Sequence, residues 1–260
     1  MKKYACLIFV LALSLLLGSC IGPETEIDRG DTTPPSNETT SSPEKTPTTT
    51  TPSHSELYLP NCSQQQMFDY FEEIVFHMEY GTGNSSVVQK WNEPIRYRIY
   101  GTATKTDLDV LTSLFAQLNK IKGFPGIYAA DNESENLIIS FLGVDDFNAS
   151  FSEFIEGEDA YGATEFWYYN ETNEIYTARI GYRTDTDQIT RTSILIEEII
   201  NMLGVSDTVL REDSIVYQYS NDNTAPSDID WVILKLLYNH KIKCGMDTYT
   251  CSNIIKELYY

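Results

Sequence analysis

Between Asp31 and Pro52 the chain is built almost wholly of Thr, Pro and Ser. Such a stretch has too little apolar surface to offset the entropy of ordering a backbone, so it is expected to remain disordered. It splits the sequence into a short N-terminal segment and one foldable block beyond residue 58. That block is roughly 200 residues long, enough for a single well-buried core. Extended at about 3 Å per residue, the tract from Ile21 to Leu57 spans up to ~100 Å.

The segment ahead of the tract reads as a targeting element. Lys2 and Lys3 precede the apolar run Leu7 to Leu17, which suits a signal h-region and is too short for a bilayer span. The run closes on Leu17-Gly18-Ser19-Cys20, which resembles the bacterial lipobox and implies diacylglycerol transfer to Cys20. The expected organisation is therefore residues 1–19 as a lipoprotein signal peptide, 20–58 as a lipidated cysteine with its tether, and 59–260 as a globular domain. That domain would sit outside the cell, lipid-anchored to the membrane. The 38 acidic against 18 basic residues give a formal net charge of −20, which repels phosphate backbones and argues against nucleic acid. The expected partners are the membrane, reached through the lipid on Cys20, and an unidentified envelope protein or peptide. Export permits disulfides, and spacing favours a Cys244–Cys251 clip, with Cys62 free or paired to either of them.

Within the block, Ser63 and Gln66 form a capping box ahead of Met67, Phe71, Ile74, Val75 and Met78, a helical face running to Gly81. Trp91 to Tyr100 reads as a strand containing Pro94. Thr106 and Asp109 open a second helix whose face is Leu111, Leu114, Phe115, Leu118 and Ile121. Strands are expected at Gly126–Ala129 and Leu137–Leu142, and a hairpin at Glu165–Asn170 with Ile175–Tyr182. A third helix spans Asp187 to Leu203 and stops at Gly204, and Ser227 with Asp230 opens a fourth. The class is α+β. A twisted, mostly sequential mixed sheet packed with three to four long helices fits better than a doubly wound fold, because strands and helices do not alternate regularly.

The third helix carries Glu197-Glu198-Ile199-Ile200-Asn201-Met202-Leu203-Gly204-Val205-Ser206-Asp207. This is similar to the metzincin zinc-protease signature HExxHxxGxx(H/D), in which two histidines share a helical face, the Glu between them is the general base and the last residue closes the zinc site. Glu198, Gly204 and Asp207 match it, while Glu197 and Asn201 stand at the histidine positions. Ser214-Ile215-Val216-Tyr217 resembles the Met-turn beneath the metal, with Val216 at the methionine position and Tyr217 after it. Leu236-Leu237-Tyr238 resembles the closing helix of matrixin-type proteases. The same combination, followed by Cys244-Gly245-Met246, also resembles an uncharacterised envelope-protein family with a domain of unknown function.

The resemblance implies a metzincin-like fold with degenerate ligands. Glu197, Asn201 and Asp207 offer no imidazole or thiolate, so no zinc cofactor is expected. Their oxygens suit a hard divalent cation, the alternative, but fall short of a full calcium shell. Two functions follow: a non-catalytic binding or structural module, or a hydrolase with Glu198 as general base and a non-zinc metal. The residues also carry a plainer reading. Thr190, Ser193, Glu197 and Asn201 form a polar stripe that a surface-packed helix would turn to solvent. Gly204 is equally a helix stop, and Asp207 a turn residue. Asp145-Asp146 and Glu156-Gly157-Glu158-Asp159 are acidic clusters of the kind a strongly charged chain produces. Trp167-Tyr168-Tyr169, Tyr97 and Tyr100 read as core or cross-strand aromatics, and His77 as structural.

Overall fold

The helices of this domain start where a short polar side chain can satisfy the free amides of the first turn. The structure, a computed structural model, describes residues 6–8, 55–77, 85–131, 134–151 and 160–259. Cys20, the Thr/Pro/Ser tract, the expected continuation of the first helix to Gly81 and the Glu156–Asp159 cluster lie outside these residues. Helix α1 (Gln64–Phe76) opens on the expected box, Gln66 N–H donating to Ser63 Oγ at 3.2 Å and Ser63 N–H to Gln66 Oε1 at 2.9 Å.

Helix α2 (Lys105–Leu118) is capped two residues earlier than expected, by Thr104 and Asp107 rather than Thr106 and Asp109. The reason is tertiary. Asp109 is exposed and pairs with Lys105 at 2.5 Å, whereas Asp107 is fully buried and reaches across to another helix. Helix α3 (Val144–Phe151) was not anticipated: Asp145 and Asp146 lie in its first turn, where carboxylates complement the helix dipole. Helices α4 (Gln188–Asn201) and α5 (Asp228–Leu237) fall where the periodicity places them. A further helix, α6 (Thr248–Leu258), starts at Asp247, whose carboxylate accepts the Thr250 amide at 2.8 Å.

The strands are β1 (Cys6–Ile8), β2 (Lys90–Trp91), β3 (Ile95–Gly101), β4 (Ile127–Ala129), β5 (Leu137–Leu142), β6 (Gly162–Tyr168) and β7 (Glu174–Arg183). Six of them run in the order β1-β6-β7-β5-β3-β4, with β2 paired to β7 off this path. Every pairing is parallel except the β6–β7 hairpin. The order is not the sequential one expected: α2 carries the chain over before β4, so β3 lies between β4 and β5, as parallel neighbours require. The class is mixed α/β. Pro94 splits the single strand expected over Trp91–Tyr100, sending β2 to β7 and β3 to the far side of β5. β1 falls within the segment expected to be the leader. No described helix is long and apolar enough to cross a membrane.

One sheet face, with Ile95, Leu137, Ile139, Phe141, Ala178, Ile180 and Tyr182, is buried in the main core with residues of α2 and α4. The opposite face is covered in part by α3: Phe147 and Phe151 pack with Ala163 and Leu142, and a Cβ on Gly181 would lie 2.3 Å from the Phe151 ring. Cys62, Cys244 and Cys251 are free thiols, so the expected Cys244–Cys251 clip is not formed in this structure. Cys251 is buried in α6, where burial pushes its thiol up to about 12, and the Cys244 thiol instead faces the Lys90 carbonyl at 3.5 Å.

Helices α2 and α4 are joined through charge. Asp107 accepts from Arg191 Nε at 3.0 Å and from Gln188 Nε2 at 2.8 Å. Burial acts to raise its pKa, but the hydrogen bonds from Gln188, Thr104 and Arg191 outweigh it and hold the carboxyl below its ordinary value. Removing one partner leaves a buried charge uncompensated. Arg191→Leu is therefore expected to lower the unfolding free energy by about 3–5 kcal/mol in urea titrations, and a loss under ~1 kcal/mol would show that the pair does not anchor the two helices.

Candidate functional site

Helix α4 lies close over β6 and β7 because the strands leave room for it. A Cβ on Gly162 would come within 2.3 Å of Ile194 and 2.9 Å of Glu198 Oε1, so only glycine admits the helix here. Thr164 Oγ1 donates to the Glu198 carbonyl at 3.0 Å, and Tyr182 OH to the Leu195 carbonyl at 3.0 Å.

The far end of α4 is closed by side chains. Trp91 Nε1 donates to the Met202 carbonyl at 2.8 Å and Tyr238 OH to the Leu203 carbonyl at 3.0 Å, satisfying acceptors that a helix terminus leaves open. Gly204 then reverses the chain at φ +100°, with the Gln89 carbonyl 2.0 Å from where a Cβ would stand. Beyond it, Ser206 N–H donates to the Ile74 carbonyl of α1 at 2.7 Å. Thr208 and Tyr217 form a parallel bridge, through Thr208 N–H to the Val216 carbonyl at 2.9 Å and Gln218 N–H to the Thr208 carbonyl at 3.0 Å. This route brings Asp207 back to the helix, where Asn201 Nδ2 donates to Asp207 Oδ1 at 3.0 Å.

The turn itself rests on a network that the sequence reading missed. Tyr70 OH donates to Ser214 Oγ at 2.8 Å, Ser214 Oγ to Asp230 Oδ1 at 2.6 Å, and Ile215 N–H to Asp230 Oδ2 at 3.0 Å. Burial raises the Asp230 pKa against the pull of these bonds. From sequence Asp230 was legible only as the capping partner of Ser227, whose amide it does accept at 2.7 Å. Its second role needs Ser214, distant in sequence.

Asn201, on α4 with Glu197 and Glu198, is thus joined to Asp207, and the Val216–Tyr217 turn bridges to the neighbouring Thr208. The polar stripe is not a solvated face: Glu197 and Glu198 are 1% exposed and Asn201 2%. Burial, and then the charge of Asp207, push Glu198 up to about 8 against a lowering hydrogen bond from Thr164. The shift favours the protonated form of Glu198 near neutral pH. Glu198 Oε1 and Asn201 Oδ1 are buried with no hydrogen-bond partner among the described residues.

The residues do not fit a catalytic zinc, which takes imidazole or thiolate donors and an open position, and the Asn201 amide is engaged with Asp207. Among the described residues no group of three or more His, Cys, Asp or Glu is arranged to hold a metal. The other candidates lie apart. His77 is the C-cap residue of α1, and Tyr169 stacks on Tyr176 at 4.5 Å at the hairpin tip. Arg179 lies over the Trp167 ring at 5.9 Å, and Tyr97 packs on Phe115 at 4.7 Å. Tyr100 is exposed near the end of β3.

A mixed α/β domain whose sheet carries a helix with buried carboxylates is the class that fold and site define. Residues 64–257, from the first residue of α1 almost to the end of α6, match the family described as protein of unknown function (DUF2927), and the chain belongs to that family. No curated protein matches it.

Because the folded-state pKa of Glu198 lies above its ordinary 4.5, the stability it contributes is full below that value and is lost as pH rises toward about 8. Glu198→Gln removes this titration. Relative to that variant, the natural protein is expected to lose up to roughly 1.4 kcal/mol per pH unit between about pH 5 and 8 in urea unfolding. Parallel curves for the two proteins would mean that Glu198 does not titrate with folding.

Proposed function

We propose that the protein is an extracytoplasmic lipoprotein, anchored through Cys20, whose globular part is a non-catalytic metzincin-like module for binding or support in the cell envelope. The match of Glu198, Gly204 and Asp207 to the zinc-protease register supports the scaffold. The observation that carries the non-catalytic reading is the part-buried hydrogen bond between Asn201 and Asp207. Two of the three ligand positions are hydrogen-bonded to each other, and neither is an imidazole. Burial, by favouring the protonated form of Glu198, works against its use as a base.

One feature favours a second reading. Asn201 Oδ1 and Glu198 Oε1 are buried oxygens without a partner among the described residues, which suits a hydrolase using Glu198 as base beside a hard divalent cation held by Glu197, Asn201 and Asp207. Elemental analysis after incubation with Zn²⁺, Mn²⁺ and Ca²⁺ and exhaustive dialysis separates the two. The expected result is well under one equivalent of any metal. A stoichiometric metal that disappears in Glu197→Gln and Asp207→Asn would overturn the non-catalytic reading. For the anchor, Cys20→Ser is expected to abolish palmitate incorporation and release the protein from the membrane fraction, and retention of both would rule out lipidation at that residue.

A further inference from the structure

Six Asn-x-Ser/Thr triplets occur in the chain, and those at Asn61, Asn148 and Asn170 lie wholly within the described residues. Each of these three asparagines is exposed, and none of their side-chain amides is hydrogen-bonded among the described residues. Asparagines outside such triplets are used differently. Asn92, Asn119, Asn136, Asn201, Asn223 and Asn239 all engage a partner through the side-chain amide group.

Two of the three triplets are committed to the fold. Ser63 Oγ, the hydroxyl of the first, accepts the Gln66 amide at 3.2 Å as the cap of α1, and Cys62 beside it is buried. Asn148 and Ser150 lie within α3, whose helical backbone holds the second triplet coiled. The third is open. Asn170, Glu171 and Thr172 form the tip of the β6–β7 hairpin, and all three are exposed. Asn173, at φ +58°, closes the turn behind them, its amide donating to the Tyr169 carbonyl at 2.7 Å. The Thr172 hydroxyl accepts the Glu174 amide at 3.4 Å, which leaves its own proton free to donate.

The flank of the tip suits a sugar. Tyr169 and Tyr176 stack with ring centroids 4.5 Å apart, yet they remain 52% and 36% exposed. Such a pair gives a flat, partly apolar plate on which the C–H face of a pyranose ring can pack. We propose that Asn170 is a glycosylation site, its Nδ2 bonded to C1 of the first sugar of an oligosaccharide delivered on a lipid phosphate carrier, with that sugar against the Tyr169–Tyr176 pair. The C1–O bond to the carrier breaks, the lipid phosphate leaves with the bonding electrons, and the Asn170 amide gives up one proton. This assignment rests on the extracytoplasmic reading above, because such transfer modifies exported chains.

The test is intact-mass measurement and peptide mapping of the full chain purified from the cells that make it naturally, with protease added to intact cells to report whether the chain is exported. A sugar-bearing peptide containing Asn170 is expected. Asn170→Gln and Thr172→Ala should each remove that sugar, Thr172→Ser should keep it, and Asn253→Gln, at an exposed asparagine outside any triplet, should leave the mass of the glycan unchanged. Nitration of Tyr169 and Tyr176 should rise at least twofold in Asn170→Gln, and equal labelling would overturn the packing on the tyrosines. An exported chain with a bare Asn170 overturns glycosylation and leaves the envelope reading standing. A chain shielded inside the cell with a bare Asn170 overturns both, and sugar that persists in Thr172→Ala overturns the triplet as its determinant.

Discussion

The end of α4 is the point on which the rest of the domain turns. Its last carbonyls are closed by the Trp91 indole and the Tyr238 phenol, one from a strand and one from the end of α5. Gly204 then passes so near the Gln89 carbonyl that any side chain would collide with it. These contacts tie β2, α4 and α5 together and fix the direction in which the chain leaves the helix. Asp207 meets Asn201 only because that direction is fixed.

The chemistry of the site follows from burial more than from its charges. Glu197, Glu198 and Asn201 are buried beside the half-buried Asp207, with little solvent to stabilise ionised forms. The raised pKa of Glu198 and the hydrogen bond from Asn201 to Asp207 are the responses of such a cluster. Elsewhere the protein handles buried charge differently, pairing Asp107 with Arg191 and surrounding it with donors. The Asp107 carboxyl is held low by the hydrogen bonds of its neighbours, whereas Glu198 is raised mainly by burial.

Much of the local structure was legible in the sequence. The Ser63–Gln66 box, the β6–β7 hairpin and the limits of α4 and α5 all follow from caps and periodicity within a few residues of one another. Errors arose where a distant partner decided between local choices. Thr104 rather than Thr106 caps α2 because Asp107 is needed for Arg191, and Pro94 divides a strand because its two halves pair with different neighbours. Helix α3 is short, and its acidic first turn reads as a charge cluster until Phe147 and Phe151 are seen covering the sheet. The spacing that suggested a Cys244–Cys251 link says nothing of which way each thiol faces.

By itself the sequence determined the composition of the Thr/Pro/Ser tract, the positions of the main helices, and the register linking Glu197, Glu198, Asn201, Gly204 and Asp207. These depend on composition and on contacts spanning a few residues, which sequence encodes directly. Only the tertiary structure decided that the polar face of α4 is buried rather than solvated and that Asp207 folds back on Asn201. Each of these rests on groups far apart along the chain, whose meeting is set by the parallel sheet and its crossovers and leaves no local mark in the sequence.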